Sequence, residues 1–386
     1  MVSVDILVRS VRGLEWVAAD EVSARLPAVD GIAMSPREVG FRLPGPDPAV
    51  LGLRTVEDAF LVVGTVRGLG PTKEAPPVAA RRIARLDWAG PLDRLGGIRA
   101  LPGRPRFDVV ASLEGRHSYN RFMLENAVGA ALVPVVGGGY LARTTEGRQA
   151  GEPDLTIRVF ARGGEATVAL RLADRPLHRR RYKQDTGAGT LHPPVAAALA
   201  RLADPAAGAV VADPFCGDGT IAIETALSYP DVRVTASDID PVRLGNAARN
   251  RDRAGVEVAL HQLDAGRLAW PEQSVDAILT NPPWNVAVDA HGLLRRSLDP
   301  FWQQLPGLLT PAGRLCLLAD VQLNAPDRLR RLKYQVTLAT RARLAGRVLH
   351  VLLCAPPRQA RPGIPDGLAG WRQRALAEGV VTEAGF

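Results

Sequence analysis

The chain is poor in the residues that could staple or anchor it. It has three cysteines, Cys216, Cys316 and Cys354, an odd number widely spread and without paired spacing. Neither a disulfide framework nor a zinc site is expected, and core packing is their plain reading. No metal is called for. No long uncharged run is free of proline or glycine clusters, which argues against a membrane span. The first apolar run carries Asp5 and lacks a signal-peptide pattern, so the expected compartment is cytoplasmic. Lysine is scarce too, arginine supplying most of the positive charge.

At 386 residues, 46% of them hydrophobic, the chain can bury a large core and exceeds the usual single-core size. Its net charge of +8 is unevenly placed. Residues 1–184 hold 27 Lys and Arg against 20 Asp and Glu, or +7; residues 185–386 hold 21 against 20, or +1. Such an asymmetry suits a polyanion-binding module attached to a nearly neutral catalytic domain. Arginine abundance by itself fits a composition bias equally well.

In the front half, VSVDILVR alternates like a strand, and Leu14, Val17, Ala18, Val22 and Leu26 share one helical face. Strands near 32–34 and 39–43, a short helix from Pro48 and a strand at 59–66 complete a ferredoxin-like β-α-β-β-α-β order. Residues 68–77, with Gly70-Pro71 and Pro76-Pro77, read as a linker. A helix over 78–88, the strand FDVVASLEG, a helix from Arg121 and strands at 154–160 and 166–172 follow. The run PLHRRRYK then offers Arg179, Arg180, Arg181, Tyr182 and Lys183. By default such a run is a solvated surface, and its place between two domains favours nucleic-acid contact.

From Leu191 strands alternate with helices, which predicts a doubly wound parallel sheet. Strands are expected at 209–213, 232–237, 256–260, 275–280 and 314–319. Two β-rich runs, 336–344 and 347–355, joined by Ala345-Gly346, predict a closing hairpin whose last strand runs antiparallel at the sheet edge. Residues 356–386 read as a loosely held tail.

Open α/β sheets bind ligands at the carboxyl ends of their strands. Asn281-Pro282-Pro283-Trp284 sits there, after the apolar run VDAIL, and two prolines must end the strand. The Asn281 amide oxygen and the Pro282 carbonyl can accept both hydrogens of an exocyclic amine, while Trp284 can cover a flat base. A Pro-Pro loop with a packed tryptophan fits those four residues as well. Asp213 opens DPFCGDGT, in which Gly217 and Gly219 permit close backbone approach, and Asp238 follows Gly217 by 21 residues, where an acid can hold ribose hydroxyls. With Asp264 and Asn281, four successive strands each end on a polar group. A dinucleotide site also needs the glycines and Asp238, but gives no reason for Asn-Pro-Pro-Trp.

The motifs DPFCGDGT, SDID, LDA and NPPW resemble those of the class I S-adenosylmethionine-dependent methyltransferases, and Asn-Pro-Pro-aromatic resembles the amino-methylating branch. RPLHRRRYKQDTGAGTLHPPVAAALA is similar to the segment preceding that domain in THUMP-containing RNA methyltransferases, and nearly the whole chain, closely in its catalytic half, loosely in its first half and not over residues 356–386, resembles the TrmN type of tRNA guanine-N2 enzymes. The sequence departs from the family pattern at Gly189-Thr190-Leu191, at Arg181 and at Trp284, where Tyr or Phe is usual.

The resemblance implies an α/β chain with a Rossmann-like, seven-stranded methyltransferase domain behind an α+β ferredoxin-like and THUMP module. The implied domains are 1–68 ferredoxin-like, 69–183 THUMP-like and 184–358 methyltransferase; composition alone marks 359–386 as the tail. It implies S-adenosylmethionine held by Asp213, Cys216, Gly217, Gly219, Thr220, Asp238, Ile239, Asp264, Ala265, Asn281, Thr190 and Leu191. Catalysis would fall to Asn281, Pro282 and Trp284, and RNA contact to Arg121 besides the basic run. The expected partner is tRNA, with rRNA second, for a monomer methylating guanosine N2 at position 6, or else 10. Adenine-N6 or rRNA methylation, methylation of a protein glutamine, and RNA binding with a silent pocket are the rivals.

Overall fold

The computed structural model describes residues 3–143, 151–283 and 289–383. The first half runs β1 (Val4–Ser10), α1 (Glu15–Arg25), β2 (Asp30–Ser35), β3 (Glu38–Leu43), β4 (Val56–Arg67), α2 (Ala75–Ile83), α3 (Ala89–Gly96), β5 (Phe107–Leu113), α4 (Arg121–Val136), β6 (Leu155–Arg162) and β7 (Glu165–Arg171). The expected second helix of the ferredoxin-like unit is one 3-10 turn, Pro48–Gly52, and the helix expected over 78–88 is α2, which starts three residues earlier and ends at Ile83, with α3 following beyond Trp88.

These seven strands form one sheet in the order β2-β3-β1-β4-β7-β6-β5. The joint is β4, twelve residues long and about 40 Å from end to end at strand rise. It pairs antiparallel with β1 on one edge and with β7 on the other. The linker expected at 68–77 therefore lies between elements of one continuous sheet and does not separate two. On its open face Phe60 and Phe160 meet edge to face at 5.5 Å, and the Arg158 guanidinium covers both rings at 5.9 and 5.1 Å. Burial there brings the Arg158 pKa down to about 10.

The second half runs α5 (Pro193–Ala203), β8 (Val210–Asp213), α6 (Thr220–Ser228), β9 (Arg233–Asp238), α7 (Pro241–Ala254), β10 (Ala259–Gln262), β11 (Val275–Thr280), α8 (Asp299–Leu308), β12 (Leu309–Asp320), α9 (Ala325–Arg331), β13 (Gln335–Leu344), β14 (Arg347–Ala355) and α10 (Asp366–Ala377). Its sheet has the order β10-β9-β8-β11-β12-β14-β13, with β8 to β12 parallel. The hairpin forms with the expected turn, but β14 does not lie at the edge. It inserts antiparallel between β12 and β13. The composition accounts for this: six consecutive residues, His350–Ala355, are buried, whereas β13 mixes buried with half-exposed positions and suits an edge.

The two halves share a core. One buried cluster runs from Val8 and Trp16 through Ala196 and Leu199 of α5 to Leu353 of β14. Polar contacts reinforce it: Thr340 Oγ1 donates to Gly13 O at 2.9 Å, Arg343 N donates to Arg12 O at 2.9 Å, and Arg201 pairs with Asp20. The segment expected to be a loose tail closes this seam. Its helix α10 packs on α1 and buries Leu368 and Ala375, Arg374 Nη2 donates to Ile32 O at 2.7 Å, and Val380 O accepts from Arg12 at 2.8 Å.

Leu368→Ala should accordingly lower the unfolding free energy by about 2 to 3 kcal/mol, as truncation of a buried leucine does. Urea denaturation measures it, and a change near zero would return this segment to the status of a solvated tail.

Candidate active site

At the carboxyl edge of the second sheet, β8 ends on Asp213, β9 on Asp238, β10 leads to Asp264 and β11 to Asn281. All four line one cavity of about 340 Å³. The loop after β8 curls under them because Gly217 and Gly219 take positive φ of 51° and 82°. A Cβ on Gly219 would sit 3.1 Å from that of Ala247, so its absence lets α6 start close against α7. Asp238 fixes the loop by accepting from Gly217 N at 2.8 Å and from Asp240 N at 3.0 Å. Asp264 likewise accepts from Gly266 N and Leu293 N, both at 2.8 Å.

Asp213 is almost wholly buried. Its Oδ1 accepts from Phe215 N at 3.2 Å and from Thr280 Oγ1 at 3.0 Å. Among the described residues its Oδ2 has no hydrogen-bond partner, and neither has Thr190 Oγ1. Both residues border the cavity. Burial pushes the Asp213 pKa up to about 7, with the neighbouring Asp238 charge adding to the rise and the two hydrogen bonds opposing it. Two buried oxygens without partners, facing one hollow, fit a ligand that brings a cationic or donor group. Cys216 lies on the same wall, and burial followed by the Asp213 and Asp238 charges raises its pKa well above the ordinary thiol value. It is a packed thiol, not a nucleophile.

Another wall is made by Gly189, Thr190 and Leu191, in a segment laced to the loop and to α7. Asp218 accepts from Gly187 N and from Asn246 Nδ2, each at 2.9 Å, and pairs with Arg243 at 3.2 Å. Arg243 also donates to Ala188 O at 2.8 Å. Fully buried Asn250 accepts from Gln184 N and donates to Asp185 O at 2.8 Å and to Asp218 O at 3.1 Å.

Behind α6 the buried Glu224 accepts from Arg54 at 2.8 Å, Arg180 at 3.0 Å and the Tyr182 hydroxyl at 2.7 Å. Lys183 donates Nζ to Leu191 O, and burial brings its pKa down to about 8.

This corrects part of the basic-surface reading. Arg180 and Tyr182 are braces between the halves and Lys183 ties down the Leu191 carbonyl, so none of the three is an exposed contact. Arg179, Arg181 and Arg121 are exposed, although Arg181 pairs with Asp174 at 2.6 Å and Arg121 lies over Phe122 at 4.8 Å. Of the expected cofactor residues, Asp213, Cys216, Gly217, Thr220, Asp238, Ile239, Asp264, Ala265, Asn281, Thr190 and Leu191 line the cavity, and Gly219 caps α6 beside it. Pro282 lines it with Asn281; Trp284 lies outside the described residues. Sequence reasoning missed Asp218, Arg243 and Asp320, which also line it. Asp320 had a legible signal, since it ends the fifth parallel strand as the others end theirs.

A family model described as the RMKL-like methyltransferase domain matches residues 180–348. The tRNA (guanine(6)-N2)-methyltransferase of Thermus thermophilus is 34% identical over 314 residues, covering 79% of this chain and 86% of that protein. The crystal structure of TrmN from Thermus thermophilus superposes with a TM-score of 0.71 at 31% identity, covering 92% of this chain and 99% of that one. The human tRNA (guanine(6)-N(2))-methyltransferase THUMP3 is 28% identical over 42% of this chain and 33% of its own length.

The raised Asp213 pKa has a testable sign. The folded protein keeps this carboxyl protonated up to about pH 7, while the unfolded chain releases the proton near the ordinary value. Its contribution to stability is full below the unfolded value and is lost as pH rises through about 7. Urea unfolding should show wild type losing stability relative to Asp213→Asn between about pH 4 and 7, with little further change above. A pH-independent difference would contradict the assignment.

Proposed function

The chain belongs to the TrmN-like tRNA guanine-N2 methyltransferases, and we propose that it transfers a methyl group from S-adenosylmethionine to the exocyclic N2 of guanosine 6 in tRNA. The observation that carries this reading is the corner formed by Asn281 and Pro282 on the cavity that also holds the two unpartnered oxygens. Asp213 and Thr190 would hold the cofactor's amino-acid end, Asp238 its ribose, and Asp264 with Ala265 its base. S-adenosylmethionine supplies a methyl group already activated on a sulfonium.

The protein's own work is placement. Guanine N2 is a weak nucleophile because its lone pair is delocalised into the ring. With Asn281 Oδ1 and the Pro282 carbonyl each accepting one N–H, the nitrogen is turned toward sp³ geometry and its lone pair is aimed into the cavity. Positioning and fixed dipoles can then supply most of the rate, orientation alone being worth up to about 7 to 11 kcal/mol. The alkylated nitrogen is strongly acidic and sheds its extra proton without a dedicated base. Cysteine-dependent ring methylation has no support, because Cys216 is a buried thiol and Asn281 occupies the strand end.

We read residues 1–68 and 69–183 as the RNA-gripping part, with exposed Arg121, Arg179 and Arg181 among its phosphate contacts, and 184–358 as the catalytic domain. A flipped or unpaired guanosine is required, since N2 inside a helix is out of reach. Trp284, next along the chain, is the candidate stacking partner. A cytoplasmic monomer suits this role; no helix among the described residues is long and apolar enough to cross a membrane.

Asn281→Ala should lower kcat for tRNA methylation by about 100- to 1,000-fold, leaving cofactor and tRNA affinity nearly unchanged, as expected of a contact made chiefly in the transition state. Tritiated-donor assays on tRNA transcripts with calorimetry check both halves of that statement. Full activity in the variant would sink the mechanism.

A further inference from the structure

The cofactor contacts proposed above make no use of the fifth strand end. Asp320 terminates β12, which runs parallel beside β11 with Thr280 opposite Leu317, so Asp320 lies two residues beyond the register partner of Asn281 on the adjacent strand. It is buried, and it lines the same cavity as Asn281 and Pro282. Its Oδ1 accepts from Gln322 N at 3.0 Å, which closes a turn. Its Oδ2 faces Arg347 Nε at 3.5 Å. Arg347 opens β14 just past the hairpin turn and also lines the cavity, with its side chain 42% exposed, so it is free to move toward an incoming ligand. A 3.5 Å separation is too long for a good hydrogen bond. The pair touches without being locked.

Taken as one wall, the polar groups read acceptor, acceptor, acceptor, donor: Asn281 Oδ1, Pro282 O, Asp320 Oδ2, Arg347 guanidinium. The Watson–Crick edge of guanine presents the complement in the same order, two hydrogens on N2, one on N1, and the lone pairs of O6. Adenine does not. With its exocyclic amine at the Asn281 corner, adenine would bring the bare N1 lone pair against the Asp320 carboxylate and nothing for Arg347 to donate to.

We propose that Asp320 and Arg347 are specificity-determining residues that read the target guanine, Asp320 accepting from N1–H and Arg347 donating to O6. This rests on the guanine-N2 reading above and explains how a corner suited to any exocyclic amine is restricted to one base. An alternative role, bracing the hairpin turn against β12, predicts an equal effect on every substrate.

2-Aminopurine separates the two roles. It keeps the N2 amine, replaces N1–H by a lone pair and has no O6. tRNA carrying guanosine or 2-aminopurine riboside at the position methylated by wild type is assayed with tritiated donor, and the ratio of the two kcat/KM values is compared across variants, which cancels their intrinsic reactivity difference. Wild type should favour guanosine by about 100-fold or more, because a site built around a substrate N–H rejects the analogue lacking it. In Asp320→Asn the amide can turn its N–H₂ toward the bare N1, so the ratio should fall by about ten-fold or more, with 2-aminopurine turnover equal to or above wild type. Arg347→Met, at an exposed position where folding is not at risk, should slow guanosine by about ten-fold and 2-aminopurine by less than about two-fold. Variants that slow both substrates in equal proportion, or neither, overturn the proposal and leave the function standing. Wild-type protein that leaves guanosine N2 unmodified overturns the functional reading first, and this inference with it.

Discussion

The carboxylate of Glu224 sits where three segments meet, and the placement of the cavity depends on it. It is fully buried on α6, the helix that begins at the glycine loop, and it accepts from Arg54 of the first sheet's connection and from Arg180 and Tyr182 of the segment joining the halves. A buried charge without partners is costly, and removing one partner of such a group typically costs about 3 to 5 kcal/mol. The arrangement therefore admits few alternatives. If the first half rotated away, Glu224 would lose a guanidinium; if the linking segment detached, it would lose another and a hydroxyl, and Lys183 would release the Leu191 carbonyl at the cavity wall. Burial and the Glu224 charge raise the Tyr182 pKa well above the ordinary phenol, which keeps it a donor. The first half and the cavity are held in one frame by a buried carboxylate that does not itself line the cavity.

The second constraint is the strand edge. Parallel strands present their carboxyl ends on one rim, so a polar residue at the end of each makes a wall whose order follows the strand order and not the chain order. Asp238, Asp213, Asn281 and Asp320 thus stand side by side on β9, β8, β11 and β12. Cofactor groups occupy one end of this row in the proposed reading and the target base the other, with Asn281 between them. The methyl donor and acceptor are brought together by the sheet order itself.

Much of this was legible in the sequence because period and punctuation carried it. Strand β11 falls where the apolar run and the two prolines place it, and the hairpin turn at Ala345-Gly346 adopts positive φ of 48° and 80°, which Gly346 takes freely and Ala345 only against the crowding of its Cβ. What was not legible depends on partners distant in the chain. That β14 inserts between β12 and β13, or that β4 joins two expected domains into one sheet, follows from which strand has an unpaired edge to offer, and no local pattern reports that. The basic run shows the limit for sites: HRRRYK reads as surface by composition, yet Arg180 and Tyr182 point inward because a buried carboxylate 44 and 42 residues away needs them. The C-terminal segment reads as a tail by its Pro, Gly and Arg content, and becomes a helix against α1 because the seam between the halves leaves apolar surface for it to cover.

The central claim is that this frame delivers guanosine N2 of a tRNA to the Asn281 corner. Nucleoside mass spectrometry of purified tRNA and rRNA, from cells with and without the protein, tests it most directly. The account predicts loss of N2-methylguanosine from tRNA alone, mapping to position 6, and its return when the full chain is restored. Unchanged tRNA nucleosides, or a loss confined to rRNA or to a methylated adenine, cytosine or uracil, would contradict it.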